Sequence, residues 1–286
     1  MKTKTLLFLT ILFLLTSCGS ASNKTVNGNR KVVTKNISIS DYDEIAVAGS
    51  VDFEYVQSNK KPSLEITIDE NMLQYMKIEV KNGKLVVEPK RVKENGSYNL
   101  NPTVCKIKTN SRNLKSVKSA GSGHLKVASK LNFKKLNVDM AGSGRIVFEH
   151  SMKGDEMKVN MAGSGKVIMD NISAKSLVCS MAGSGEIRAN GDMQRSAYDI
   201  AGSGSIRVGG SARETSYNIA GSGKISAFDS KVKQVKASIV GSGSIETYVT
   251  DKLEASTING SGKISYKGNP SVKSDARRSN SIRQVN

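Results

Sequence analysis

Eight serines of the chain stand in the same Gly-Ser-Gly setting, and a serine between glycines is a residue that can do chemistry. A hydrolase nucleophile of this kind needs Gly-x-Ser-x-Gly on a strand-to-helix turn. A phosphate-binding loop needs a following Lys-Ser/Thr and a helix. Neither setting surrounds these serines, so we interpret the glycines as structural turns. They are Gly121, Gly123, Gly142, Gly144, Gly163, Gly165, Gly183, Gly185, Gly202, Gly204, Gly221, Gly223, Gly241, Gly243, Gly260 and Gly262.

The other groups that could act as acid, base or metal ligand are poorly spaced for such work. The two histidines, His124 and His150, do not match the ligand spacing of a zinc site. Asp155 and Glu156 are neighbours in sequence, which favours solvated side chains over a catalytic pair. We therefore expect no catalytic residue, no metal and no cofactor. A polysaccharide-active enzyme is kept only as a distant third alternative.

Cys18 is the residue for which the sequence predicts a covalent modification. A basic start and an apolar run, Leu6 to Leu15, are typical of a secretory signal. The run is too short to span a bilayer, which needs about 20 residues. The order Leu15-Thr16-Ser17-Cys18 resembles a bacterial lipobox, in which the cysteine receives a diacylglyceryl group. We predict a signal peptide at residues 1–17 and a lipidated Cys18 with a flexible tether at 18–31; the alternative is an ordinary signal cut near Ala21.

The chain is strongly basic, with a formal net charge of +18. This balance favours acidic partners such as acidic polysaccharides or lipopolysaccharide phosphates. Nucleic acid is an unlikely partner for an exported chain. Beyond Cys18 only Cys105 and Cys179 remain. The repeat described next separates them by about four coils, about 15–20 Å at strand spacing, so we predict two free thiols.

The first glycines of the eight copies recur at spacings of 21, 21, 20, 19, 19, 20 and 19 residues. A fixed period of this length is typical of a solenoid, whose coils bury their apolar faces against each other. The residues four positions after these glycines are all branched aliphatics: Leu125, Ile146, Val167, Ile187, Ile206, Ile225, Ile245 and Ile264. Seven copies carry Met or Ile two positions before the glycine: Met140, Met161, Met181, Ile200, Ile219, Ile239 and Ile258.

Alternation of apolar and polar residues on both sides of the glycines predicts strand, turn, strand in every copy. Parallel crossovers are overwhelmingly right-handed. The sequence therefore predicts an all-β fold, a right-handed parallel β-helix with about eight coils of about 20 residues. Each coil has two strands, a Gly-Ser-Gly corner and a variable return. We assign residues 32–112 to irregular N-terminal coils and a cap, 113–270 to the repeats, and 271–286, with Arg277, Arg278 and Arg283, to a solvated basic tail.

The chain resembles the bacterial family called putative auto-transporter adhesin, head GIN domain. The resemblance rests on Tyr42-Asp43-Glu44-Ile45-Ala46-Val47, the Asn82-Gly83-Lys84-Leu85 turn, the eight corners and the closing Tyr266-Lys267-Gly268-Asn269-Pro270. It implies a pectin-lyase-like β-helix, an origin in Bacteroidetes-type bacteria and a role in adhesion. It brings no catalytic residues with it.

The residues three positions after each first glycine should point outward and include several cations. We take Arg145, Lys166, Lys224 and Lys263 as candidate binding residues, with Glu186 interrupting the row. The function we predict is adhesin-like binding of a glycan or another acidic partner by an outer-membrane lipoprotein. The alternative is an envelope-assembly scaffold facing the periplasm, with no partner other than its own homo-oligomer. Residues 19–22 carry no acidic group, and the resemblance makes an acidic stretch there the usual cue for surface export, so the periplasmic face is favoured.

Overall fold

The computed structural model describes residues 24–92, 96–258, 260–276 and 281–285. The predicted signal peptide, Cys18, Arg277 and Arg278 lie outside the described residues. Among those described, no helix is long and apolar enough to cross a bilayer.

In the described part of the N-terminal third, the chain forms ten short strands and one 3-10 helix, Glu70–Tyr75. The strands are β1 Lys24–Asn27, β2 Val32–Ile37, β3 Glu44–Ala48, β4 Asp52–Gln57, β5 Ser63–Asp69, β6 Met76–Lys81, β7 Lys84–Pro89, β8 Arg91–Val92, β9 Gly96–Asn101 and β10 Cys105–Ser111. The predicted turn between β6 and β7 is confirmed: Asn82 and Gly83 both have positive φ, 51° and 73°, as a two-residue hairpin turn requires.

The rest of the chain is a parallel β-helix of about eight turns, as predicted. Its strands are β11 Ser116–Gly121, β12 His124–Val127, β13 Leu131–Gly142, β14 Arg145–Phe148, β15 Met152–Gly163, β16 Lys166–Gly183, β17 Glu186–Gly202, β18 Ser205–Gly221, β19 Lys224–Gly241, β20 Ser244–Ile258, β21 Lys263–Lys267, β22 Ser271–Ala276 and β23 Ile282–Gln284. The predicted inward ladder is confirmed, because Val138, Val159 and Cys179 pair in consecutive coils and are fully buried. Cys105 and Cys179 are free thiols, as expected.

The first coil is formed by β3 and β4, and its corner has Val51 in place of the second glycine. It is in register with the repeats, since Val47 pairs with Ser119 and Phe53 with Leu125. The opposite edge of this coil is covered by β7 and β10, which run parallel to it. Strand β5 then pairs antiparallel with β10, and β2 pairs antiparallel with β5. This cap protects the end of the stack from edge-to-edge pairing with another chain.

The glycines of each corner are required for two different reasons, which Gly163 and Gly165 illustrate. Gly163 has a φ of +123°, which side-chain-bearing residues rarely adopt, and a Cβ there would meet the carbonyl oxygen of Gly142. A Cβ on Gly165 would meet the end of the Met140 side chain. In this corner the first glycine is thus fixed by backbone conformation and close approach, and the second by the end of the Met140 side chain together with the carbonyl oxygen of Gly144.

Two details of the repeat differ from expectation. The returns are strands as well: Met152 pairs with Ile172 in the next coil, so pairing continues around most of each turn. In the last repeat Thr257, not Ile258, pairs with Ile239. The shift arises because one extra residue separates the strand from Gly260, whose corner still packs on that of Gly241.

The tail expected at 271–286 has exposed side chains at 271–275, as predicted, but its backbone forms strands, which the sequence analysis did not predict. Strand β22 pairs with β20, and Val272 stands beside Leu253. Strand β23 pairs with β21, which places Ile282 beside Ile264. Residues 271–276 and 282–284 therefore extend the stack, because their apolar side chains continue two columns of the solenoid. Arg283 is exposed.

Candidate functional site

The corners of successive coils stack their serines in one exposed row. The backbone amide of Ser164 donates to the carbonyl of Gly142 over 3.1 Å, and Ser143 and Ser184 make the equivalent bonds. The backbone amides of the corner thus find their partners in the backbone of the neighbouring coil. The side chains of Ser143, Ser164 and Ser184 are therefore exposed, with hydroxyls free to bind a ligand.

A polar groove of about 420 Å³ runs along this row. Ser143, Ser164 and Ser184 line it together with Arg145 and Lys166. The buried faces of β14 and β16 hold these residues in place, because Ile146 and Val167 pair inside the core directly after the two cations. The groove thus presents hydroxyls and cations at the repeat distance of the coils.

The two cations of the groove, Arg145 and Lys166, differ in whether an acidic side chain neutralises them. Arg145 and Lys166 pair across β14 and β16, and Glu186 pairs with Lys166 one coil further on. Lys166 contacts Glu186 at 2.8 Å, and this hydrogen bond with the ammonium holds the pKa of Glu186 below its ordinary value. Among the described residues, Arg145 has no acidic partner. Arg145 is therefore the cation most available to an anionic ligand.

The structure divides the four candidate cations into two groups. Arg145 and Lys166 line the groove, whereas Lys224 and Lys263 stand further along the same column. Lys224 is engaged by Glu246 at 2.8 Å. The sequence analysis did not single out this pair, because Glu246 lies 22 positions further on, in the adjacent strand β20 and two residues beyond Ser244, the register partner of Lys224.

The carboxylates of the repeat faces are held by amides. Asn160 donates from its side chain to Asp139 over 2.7 Å, and Asn218 donates likewise to Asp199. The two aspartates are three coils apart in the register, too far for a shared site. In the described part of the chain, no three His, Cys, Asp or Glu side chains are grouped so that they could hold a metal ion. The arrangement fits recognition through hydrogen bonds and charge.

Comparison with known proteins gives one family and several solved structures. The family model described as putative auto-transporter adhesin, head GIN domain, matches residues 41–171 and 166–270. A putative lipid binding protein from Parabacteroides distasonis ATCC 8503 is 40% identical, with a TM-score of 0.76. A putative adhesin from Parabacteroides merdae ATCC 43184 is 29% identical, with a TM-score of 0.73. Each comparison covers 92% of this chain and 100% of the other. No curated protein matches this chain in sequence.

Proposed function

We propose, since this chain belongs to the putative auto-transporter adhesin, head GIN domain family, that it is a non-enzymatic binding protein of the cell envelope. Its ligand is an extended acidic polymer, in the first instance an acidic glycan, that lies along the Gly-Ser-Gly corners. The proposal includes the lipid anchor at Cys18. The observation that carries it is the groove in which Arg145 and Lys166 stand beside a row of exposed serine hydroxyls.

The geometry supports a polymer better than a small molecule. The groove crosses several coils, and strands in adjacent coils are about 4.8 Å apart. A chain lying along the corners would meet a new hydroxyl at each step. Arg145 can offer a bidentate fork to a carboxylate or sulfate group. Lys166 is shared with Glu186, so we assign the larger part of the attraction to Arg145.

The proposal is tested by titrating the purified protein with polygalacturonate and with neutral dextran. We expect binding of the acidic polymer only, weakening steeply between low and physiological salt, because exposed charges are screened over about 8–10 Å. The double variant Arg145→Glu with Lys166→Glu should reduce affinity at least about tenfold, which corresponds to about 1.4 kcal/mol.

A matched control has the same change in net charge at a distance from the groove. Lys153 and Lys233 are exposed residues of the returns, and neither has an ion-pair partner among the described residues. Reversal of both to Glu should leave most of the affinity. Equal losses from the two double variants would show diffuse charge attraction and overturn the groove as a site. No binding of any acidic polymer would favour the periplasmic scaffold instead.

The hydroxyl row has its own test. Replacing Ser143, Ser164 and Ser184 together with alanine keeps the charge and the corner glycines. We expect a further loss of affinity because three donors and acceptors are removed from the ligand path. Ser173→Ala, at an exposed position of a return, is the control. Unchanged binding by the triple variant would limit the site to the two cations.

A further inference from the structure

A second cavity, of about 400 Å³, lies at the capped end of the solenoid. The corner of the first coil, Ala48 to Val51, forms one side of it. Strand β9 forms another through Tyr98 and Leu100. The volume falls within the range of about 300–1,000 Å³ that small-molecule sites occupy. It is separate from the corner groove, which begins at His124.

Much of the wall of this cavity is apolar. Ile68, Met72 and Met76 line it from β5, the 3-10 helix and β6, and all three are buried. Pro102 and Leu100 line it as well. Methionine side chains are flexible and polarizable, so they adapt to ligands of variable shape. Such a wall fits an alkyl chain.

Among the described residues, two charged side chains line the cavity: Glu88, which has an ion-pair partner, and Arg91, which has none. Glu88 is paired with Lys77 at 3.4 Å. Arg91 is exposed, lines the cavity and has no ion-pair partner among the described residues. An arginine fork recognises planar or tetrahedral oxyanions such as carboxylate and phosphate. The cavity therefore combines an apolar wall with one uncompensated cation.

We propose that the cap cavity is a binding site for a single-chain amphiphile with an anionic head group. The alkyl chain lies against Leu100, Pro102 and Met76, whose apolar side chains keep some exposure in the wall, and Arg91 binds the carboxylate or phosphate. This inference goes beyond the proposed function and is independent of it, since no residue of the corner groove lines the cavity.

The test is calorimetric titration of the wild-type protein with octanoate, decanoate and dodecanoate below the concentration at which they aggregate. Affinity should rise about fourfold for each methylene added, because burying one stabilises by about 0.8 kcal/mol. Dodecyl phosphate should bind with the same affinity as dodecanoate if Arg91 recognises only the negative charge of the head group. Tighter binding of one of the two identifies the head group. The absence of any binding by the three carboxylates and the phosphate overturns the proposal.

Head-group recognition is tested by Arg91→Glu, a surface change that leaves the apolar wall intact. We expect at least a tenfold loss for dodecanoate and a gain for dodecyltrimethylammonium, whose charge is opposite. Arg195→Glu is the control, since Arg195 is exposed, unpaired among the described residues and far along the repeat. Equal effects of the two variants would exclude Arg91 from the site.

Occupancy of the cavity can be read independently at Cys105, which lines it. Dodecanoate should slow alkylation of Cys105 by N-ethylmaleimide in the native protein. Cys179 is buried in the solenoid core, and its rate should not depend on the ligand. Ala48→Leu, which narrows the cavity, should weaken binding of dodecanoate more than of octanoate. Ligand binding with unchanged Cys105 kinetics would place the amphiphile elsewhere.

Discussion

The end of the Met140 side chain lies where a Cβ atom on Gly165 would have to stand, one coil further along. The carbonyl oxygen of Gly144 is also within 2.7 Å of that position. At Gly163 the obstacle is backbone alone, the carbonyl of Gly142, and φ is +123°. A methionine end can move aside, but a backbone carbonyl held in a strand ladder cannot.

We therefore expect Gly163→Ala to lower the free energy of unfolding by about 2–3 kcal/mol, in the range of backbone strain. Gly165→Ala should cost less, because part of the clash is relieved by Met140. Ser164→Ala, at the exposed position between them, should stay within about 0.5 kcal/mol of wild type. Urea denaturation of the three variants measures this order. A larger loss at Gly165 than at Gly163 would contradict it.

Four buried tyrosines offer a contrast between bonded and unbonded hydroxyls. Tyr42 bonds Thr109 at 2.7 Å and Tyr55 bonds Ser111 at 3.0 Å. The buried hydroxyls of Tyr198 and Tyr217 make no hydrogen bond of ordinary length among the described residues, although Ser196 stands near the first and Thr215, Ser230 and Thr247 stand near the second. Tyr42→Phe should cost about 1 kcal/mol. Tyr217→Phe should be neutral or stabilising, because no bond is lost and a polar group leaves the core. Equal losses on chemical denaturation would show that the Tyr217 hydroxyl is bonded in solution.

The acid sensitivity of the cap should depend on Asp69. Burial raises the pKa of this carboxyl, but backbone amides of Thr103, Arg30 and Val104 donate to it and hold the pKa below its ordinary value. The Asp69 carboxylate therefore stabilises the folded protein fully above the pKa that this group has in the unfolded chain, about 4. This stabilisation is lost as the pH falls through the lower pKa that the group has in the folded protein. Asp69→Asn should cost about 2 kcal/mol at pH 7 and much less at pH 2.

Denaturation of the wild type and Asp69→Asn at both pH values measures this difference. Asp229→Asn, at an exposed return position, should change stability little at either pH. A penalty for Asp69→Asn that is the same at pH 7 and pH 2 would mean that the charge of the carboxylate does not hold the cap.

The anchor prediction concerns the chain before residue 24. If the proposed anchor is correct, Cys18→Ser should move the protein from the membrane fraction to the soluble fraction, or stall its processing, because a diacylglyceryl group at this position would be attached through the cysteine sulfur. Ser17→Ala keeps a small residue before the cysteine and should remain in the membrane. Fractionation of cells that express each variant measures whether the protein is in the membrane or the soluble fraction. Normal processing and membrane retention of Cys18→Ser would exclude lipid attachment at this position.

The repeat could be predicted from the sequence because the same pattern of glycines and apolar residues recurs in every coil and defines how neighbouring coils align. The aliphatic residue four positions after each glycine, as at Ile146, fixes which face is inward. The cap could not be read in the same way, since alternation in β5 does not say that β10 and β2 will be its antiparallel partners. The shift at Thr257 depends on a single inserted residue, which the repeat pattern does not reveal. The pairing of Ile282 with Ile264 depends on one apolar side chain in a polar stretch, which gives too weak a pattern to predict a strand.

The candidate site is likewise predictable from the sequence only in part. The column that contains Arg145 and Lys166 follows from the period, so sequence could place the two cations side by side. The compensation of Lys166 by Glu186 depends on side-chain conformation. The cap cavity could not be foreseen, because its lining from Ala48, Met72 and Leu100 comes from separate elements brought together by the cap.

Because every Gly-Ser-Gly corner packs on the corner before it, the number of coils can change during evolution without redesign of the rest. Gly163 rests on Gly142 as Gly183 rests on Gly163. Duplication or deletion of one stretch of about 20 residues, the length of one solenoid repeat, would leave every such contact type intact. The corner groove would lengthen or shorten by one step while the cap and its cavity stayed the same. Homologues of different length should therefore differ by whole coils and, if the groove binds a polymer, by the number of polymer units that they hold.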